Sequence, residues 1–214
     1  MKPNELERKL EKHSTWEYVK NNIQPINGFE YNYYQELLFK YVDKENWINV
    51  IKNRQSGLST FVVDYALCIL KTSDLRAQII TFGRHSKNQI QNKINKKSGQ
   101  LDINTSSNFL DITHDLNDFD DYNYDIIIVN DVNTHKTWDL MRYIMRLKYL
   151  DTEYRKNKNN YRIPKIINIS DYDITNPDSN VWTQYNENIR IKESYEWNTY
   201  DPFNPLLMEL DDIK

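Results

Sequence analysis

Cysteine is almost absent. One Cys, Cys68, in 214 residues excludes a disulfide framework and a cysteine-built zinc module, and fits a reducing compartment. Glycine and proline are scarce, at 4 and 6, which excludes collagen-like and Gly- or Pro-rich low-complexity chains. No apolar run exceeds a handful of residues, far short of the ~20 that a membrane span needs. The charged start, Met1-Lys2-Pro3-Asn4-Glu5, lacks the apolar segment of a secretion signal. A soluble intracellular protein is the expectation. An excess of positive charge is missing as well. With a net charge of −3 and a pI near 5.8, any nucleic-acid contact needs a local basic patch.

Aromatic residues are plentiful. The mean hydropathy of −0.83 is polar for a globular protein, yet 16 Tyr, 7 Phe and 5 Trp supply bulky apolar surface for a core, which argues against wholesale disorder. The length suits one ordinary domain.

Residues 4–20 read as a polar helix with Leu6, Leu10 and Trp16 on its apolar side, and Pro25 and Gly28 mark a break after it. Tyr34, Leu37, Leu38 and Tyr41 share one face of a second short helix over 33–41. Residues 47–51 form a strand, the polar stretch from Lys52 to Gly57 ends it, and 58–70 return to an apolar helical pattern. The alternation then repeats. Strand 77–82, a turn at Gly83, helix 85–97, a short strand at 109–112, strand 125–130, helix 138–149 and strand 165–170 follow in order. The branched apolar run Ile126-Ile127-Ile128-Val129 suits a central parallel strand covered on both faces. Strands alternating with helices predict a parallel α/β sheet. Beyond 176 the pattern weakens, with 188–192 as a candidate edge strand.

The segment with chemical content is Lys52-Asn53-Arg54-Gln55-Ser56-Gly57-Leu58-Ser59-Thr60, between a strand and a helix. A phosphate-binding loop needs backbone N–H groups aimed at one point, a helix N-terminus behind them, a cation, and a hydroxyl for Mg²⁺. Gly57, Ser59 and Thr60 fit the second half of G-x-x-x-x-G-K-[ST]. Lys52 replaces the first Gly, and Leu58 replaces the usual Lys. The cations Lys52 and Arg54 sit on the loop instead, placed to reach the same phosphates from the other side. The bland alternative is a plain βα turn with Ser59 and Thr60 capping a helix. Spacing alone does not separate the two. Downstream, the buried strand ends in Asn130-Asp131, where a nucleotide site carries an acidic residue for Mg²⁺ and a second one beside the attacking water. Both elements open at the same sheet edge if the sheet is parallel.

These segments resemble the ATPase half of the tailed-phage large terminases, the motors that pump DNA into capsids. Arg54-Gln55-Ser56-Gly57-Leu58-Ser59-Thr60 matches that family's Arg-Gln-x-Gly-x-[Ser/Thr]-[Ser/Thr] loop, and Lys52 stands at the front of the motif as in some members. Tyr34-Gln35 matches the upstream element whose Gln reads adenine, and Ser170 falls at the strand end that couples hydrolysis to movement. The resemblance spans roughly 29–175. It implies a three-layer P-loop NTPase core (ASCE, RecA-like) with a mainly parallel sheet. Residues 1–28 then form an N-terminal helical extension, 29–176 the core, and 177–214 a C-terminal extension or the start of a linker.

It further implies ATP and Mg²⁺ as ligands. Gln35, Lys52, Arg54, Gln55, Ser56, Gly57, Leu58, Ser59 and Thr60 would bind nucleotide, with Ser59 and Asn130 at the metal and Asp131 orienting water. A homo-oligomeric ring, a capsid portal and the host cytoplasm are implied as partners and setting. Asn130 stands where the family has Asp, which points to slow hydrolysis or to a degenerate relative acting as a scaffold or DNA-binding regulator. Nothing after Ser170 resembles the family's nuclease domain, so DNA cleavage is not expected. The chain reads equally as a piece of a longer protein, a stand-alone domain or a degenerate relative.

Residues 142–165, with Arg142, Arg146, Lys148, Arg155, Lys156, Lys158, Arg162 and Lys165 among interleaved tyrosines, could track double-stranded DNA or form a solvated helix and loop. His13, His85, His114 and His135 show no metal-ligand spacing. The acidic run from Asp111 to Asp125 lacks the Gly and terminal Glu of a calcium loop and reads as a solvated face. Cys68 reads as core.

Overall fold

A computed structural model describes residues 15–44, 46–52, 57–105, 109–120, 123–130, 139, 142–143, 145–147, 149–150, 164–171 and 206–209. Among these, six strands form one sheet in the order β3-β2-β4-β5-β1-β6. They are β1 (Trp47–Lys52), β2 (Ala77–Ile80), β3 (Leu110–Thr113), β4 (Ile126–Asn130), β5 (Lys165–Asp171) and β6 (Leu206–Glu209). Every pairing is parallel. The candidate edge strand at 188–192 lies outside the described residues. β6, which no alternation singled out, takes the place beside β1, with Ile48 opposite Leu206.

The central strands are covered on both faces, as their branched runs require. Ile126, Ile128, Ile167 and Ile169 join one cluster with helix α4 (Leu58–Thr72) and helix α5 (Gly83–Leu101). Ile127, Val129 and Ile166 alternate with them and are equally buried, so they face the other side. On that side the helical residues around 139–150 bury Tyr143, Leu147 and Leu150, and the Tyr143 hydroxyl donates to Asn168 Oδ1 of β5. Right-handed crossovers account for the layers. The chain leaves β1 and β2 in one direction across the sheet, which puts α4 and α5 on one face. It leaves β4 in the opposite direction, which puts Tyr143, Leu147 and Leu150 on the other. Three layers result.

Three short N-terminal helices pack on α4: α1 (Thr15–Tyr18), α2 (Gln24–Asn27) and α3 (Tyr33–Tyr41). Pro25 does not break the chain there as its sequence position suggested. A π-helical turn, Val19–Ile23, links α1 directly to α2, and Gly28 at φ +71° ends α2. Proline lacks an N–H, and its ring crowds the carbonyl four residues earlier; the wider π turn gives it room. The contact with α4 is aromatic. Trp16 stacks on Phe39, Phe39 meets Phe61 at 4.9 Å, and Phe61 stacks on Tyr65 at 5.7 Å.

The α3 helix buries Leu38 and Phe39 more fully than Leu37 or Tyr41. Its apolar face is therefore turned from the one the spacing suggested. Cys68 sits in the same core, where burial pushes its thiol up to about 12. It stays a protonated, inert thiol at neutral pH. Among the described residues no helix is long and apolar enough to cross a membrane.

Candidate functional site

Parallel pairing brings the C-terminal ends of all the strands to one edge. In register, Lys52 lies opposite Asp171, Ile51 opposite Ser170, and Asn130 opposite Ile169. The chain leaves β1 toward β2 and leaves its neighbour β5 toward β6, in opposite directions across the sheet. Such a divergence opens a crevice beyond the strand ends, the usual ligand site of an open α/β sheet. Lys52, Ser170 and Asn130, distant in sequence, are gathered there.

The α4 helix begins at this edge. Its N-cap is Gly57, at φ +78° and ψ 7°, and no side chain caps it. Ser59 and Thr60 are therefore first-turn residues and not the cap that the bland reading gave them. The Gly57 carbonyl accepts from Thr60 N at 2.9 Å and Phe61 N at 3.4 Å, which starts the helix. A helix N-terminus without a side-chain cap carries partial positive charge and unspent donors, which suits an anion. Leu58 is 1% exposed and its side chain belongs to the core, so it has only its backbone to offer at the edge. Ser59 and Thr60 are half-buried. Arg54, Gln55, Ser56 and Asp131 lie outside the described residues.

Gln35 lies against Gly57. It is the third residue of α3 and completes a capping box with Asn32, whose Oδ1 accepts from Gln35 N while Gln35 Oε1 accepts from Asn32 N, both at 2.9 Å. Its other end, Nε2, donates to the Gly57 carbonyl at 2.8 Å. The side chain is 4% exposed. The Asn-x-x-Gln spacing of this box was the sequence signal for Asn32, and it was missed.

Asp64, two turns along α4, is a second missed residue. A lone carboxylate inside the apolar run 58–70 marks it. It is fully buried, and Lys97 Nζ of α5 donates to its Oδ1 at 2.5 Å. Asn27 Nδ2 and Tyr31 Oη both donate to its Oδ2 at 2.8 Å. Burial, reinforced by the Asp64 charge, pushes the Tyr31 phenol far up. That hydroxyl remains a donor.

The proposed basic track is narrower than its sequence suggested. Lys165 is 6% exposed, and its ammonium donates to the Val42 carbonyl, because it opens a central strand. Tyr143 is buried against Asn168. Arg142 and Met145 remain exposed, and the Arg146 guanidinium lies 5.0 Å from the Tyr149 ring centroid. Residues 151–163 lie outside the described residues. In the acidic run, Asp115 accepts from Asn117 N, Asp125 from Arg76 N, and Asp118 from the Thr113 hydroxyl. These carboxylates serve local turns and strand ends.

No protein-family model matches the chain, and no curated protein does. Among solved structures it is similar to the crystal structure of the HK97 bacteriophage large terminase, with a TM-score of 0.51 at 10% sequence identity. The fold is terminase-like. The match covers 85% of this chain and 39% of that one, so the chain spans about two fifths of the terminase. At this identity the likeness concerns the path of the backbone alone.

Proposed function

We propose that this chain is the nucleotide-binding core of a terminase-like motor, a P-loop ATPase that binds Mg·ATP and drives viral DNA into a capsid. The observation that carries the reading is the uncapped N-terminus of α4 behind a left-handed Gly57, at the sheet edge where Lys52 and Asn130 also end. A triphosphate is the ligand whose charge and shape use all of these groups.

In this reading Lys52 and Arg54 neutralise the triphosphate, the amides from Gln55 through Ser59 cradle it, and Thr60 adds its hydroxyl. Asp131 orients the attacking water, and Ser170 couples the event to the neighbouring strand. Catalysis is then mostly positioning and charge stabilisation. The donor set fits Mg²⁺ only as a passenger of the nucleotide. Among the described residues it offers the Ser59 hydroxyl and the Asn130 amide, both neutral, and no cluster of three His, Cys, Asp or Glu. Mg²⁺ commonly takes much of its coordination from phosphates and water. When bound, it offsets charge on the phosphate oxygens. Among the described residues of 142–165, the exposed Arg142 and the Arg146–Tyr149 pair are the cationic groups proposed to meet a DNA backbone. A ring of copies on a portal is the assembly that packaging by this fold implies.

Thermal unfolding with and without Mg·ATP tests the reading. At 100 times the dissociation constant, ligand adds about 2.7 kcal/mol, roughly 5–10 °C for a chain of this size. The expected result is a shift of that order in wild type, lost in Lys52→Ala. Asn130→Asp should then raise the hydrolysis rate, since a carboxylate holds Mg²⁺ better than an amide. No shift at millimolar Mg·ATP overturns the proposal.

A further inference from the structure

We infer that Gln35 is a positioning residue for the phosphate loop, and that the site grips the triphosphate without using this side chain to read the base. The inference rests on the nucleotide reading above and concerns which part of the nucleotide Gln35 serves. A glutamine that reads adenine must present its amide to the ring. Here both ends of the amide are engaged by backbone: Oε1 by Asn32 N at 2.9 Å, Nε2 by the Gly57 carbonyl at 2.8 Å. With 4% of the residue exposed, turning it toward a base would break both bonds inside a closed contact.

The Gly57 carbonyl is the centre of the arrangement. One oxygen gathers Gln35 Nε2, Thr60 N and Phe61 N, so the side chain of α3 and the first turn of α4 fix the same peptide plane. That plane sets where the adjoining amides point, and those amides are the phosphate donors of the proposed site. The fit is close. A Cβ on Gly57 would lie 2.8 Å from Gln35 Nε2 and 3.6 Å from Asn32 Nδ2, and φ of +78° is itself strained for any side chain. The Asn32 backbone N–H in turn holds Gln35 Oε1. The chain of contacts runs from that N–H, through one amide, to the cradle.

Affinity for three probes separates positioning from base reading: Mg·ATP, Mg·GTP and the magnesium complex of inorganic triphosphate, each measured by calorimetry. Gln35→Met removes the bond to Gly57 while keeping length and neutrality. The expected outcome is a loss of about tenfold, the scale of one hydrogen bond, by the same factor for all three probes. Asn32→Ala removes the cap of α3 but leaves the Nε2 bond. It should change triphosphate affinity by less than about threefold, whereas a merely structural role for Gln35 predicts equal losses in both variants.

A loss confined to Mg·ATP, with inorganic triphosphate unchanged, overturns the inference and leaves the nucleotide site standing. Equal losses in Asn32→Ala and Gln35→Met also overturn it. Failure of wild type to bind any of the three overturns the site and this inference together. Where Gln35→Met does not fold, Gln35→Glu keeps the capping box. Its added charge acts on ATP and GTP alike, so an unchanged ATP-to-GTP affinity ratio supports positioning and a collapsed ratio refutes it.

Discussion

Two tethers hold the N-terminal helices to α4, about two turns apart on the same helix, or roughly 10 Å. They use opposite chemistry. At the first turn, Gln35 reaches the Gly57 carbonyl with a neutral amide. At Asp64, a fully buried carboxylate collects Asn27, Tyr31 and Lys97. The difference follows from what each neighbourhood has to do. A carboxylate beside the loop would repel phosphate and oppose the positive helix N-terminus. Farther along α4, a charge is tolerable because Lys97 cancels it within the same cluster. The neutral tether positions a site; the charged one joins α2, the segment bearing Tyr31, α4 and α5.

This contrast predicts the largest effect at Asp64. Asp64→Ala leaves the Lys97 ammonium, which is mostly buried, without its partner, and strips Asn27 and Tyr31 of their shared acceptor. Breaking a buried pair from one side costs about 3–5 kcal/mol, which urea unfolding of the apoprotein would show as a lowered midpoint at unchanged slope. Removing the pair from both sides, as Asp64→Leu with Lys97→Met, should recover most of that loss. If the double variant is as unstable as the single one, the cluster acts through packing and not through charge.

Gly57→Ala comes next. The left-handed conformation costs an alanine about 1–2 kcal/mol, and displacing Gln35 adds about 1 kcal/mol for the lost bond. The comparison sharpens in a Gln35→Met background. The methyl no longer displaces a bonded amide there, so the same substitution should cost less, and additive losses would show that the two residues act separately.

How much of this could be read from sequence follows from the range of each contact. The strands were legible because branched runs such as Ile126–Val129 leave few alternatives, and α4 because ten of its first twelve residues are buried. β6 was not, since four residues in an acidic tail carry no period; its place beside β1 is a tertiary fact. The π turn ahead of Pro25 was hidden because proline more often ends a helix than widens one. At the site, sequence placed the ends of β1 and β4 and the start of α4. It could not give the orientation of Gln35, which depends on a partner 22 positions away.

The smallest effect should come from the residue next to Gln35. Glu36 accepts from Lys40 one turn along α3, with side chains 36% and 50% exposed. The order, Glu before Lys at four residues, is the favourable one on a helix. Water screens both charges, however, and two long side chains must be held to keep the bond. Glu36→Gln should therefore cost no more than about 0.5 kcal/mol, a shift of roughly 1–2 °C in the thermal midpoint. At 1 M salt, where the Debye length falls to about 3 Å, even that difference should shrink. A salt-resistant loss as large as that of Asp64→Ala would mean that α3 is held at its surface. The division between a neutral tether that positions and a buried charge that stabilises would then fail.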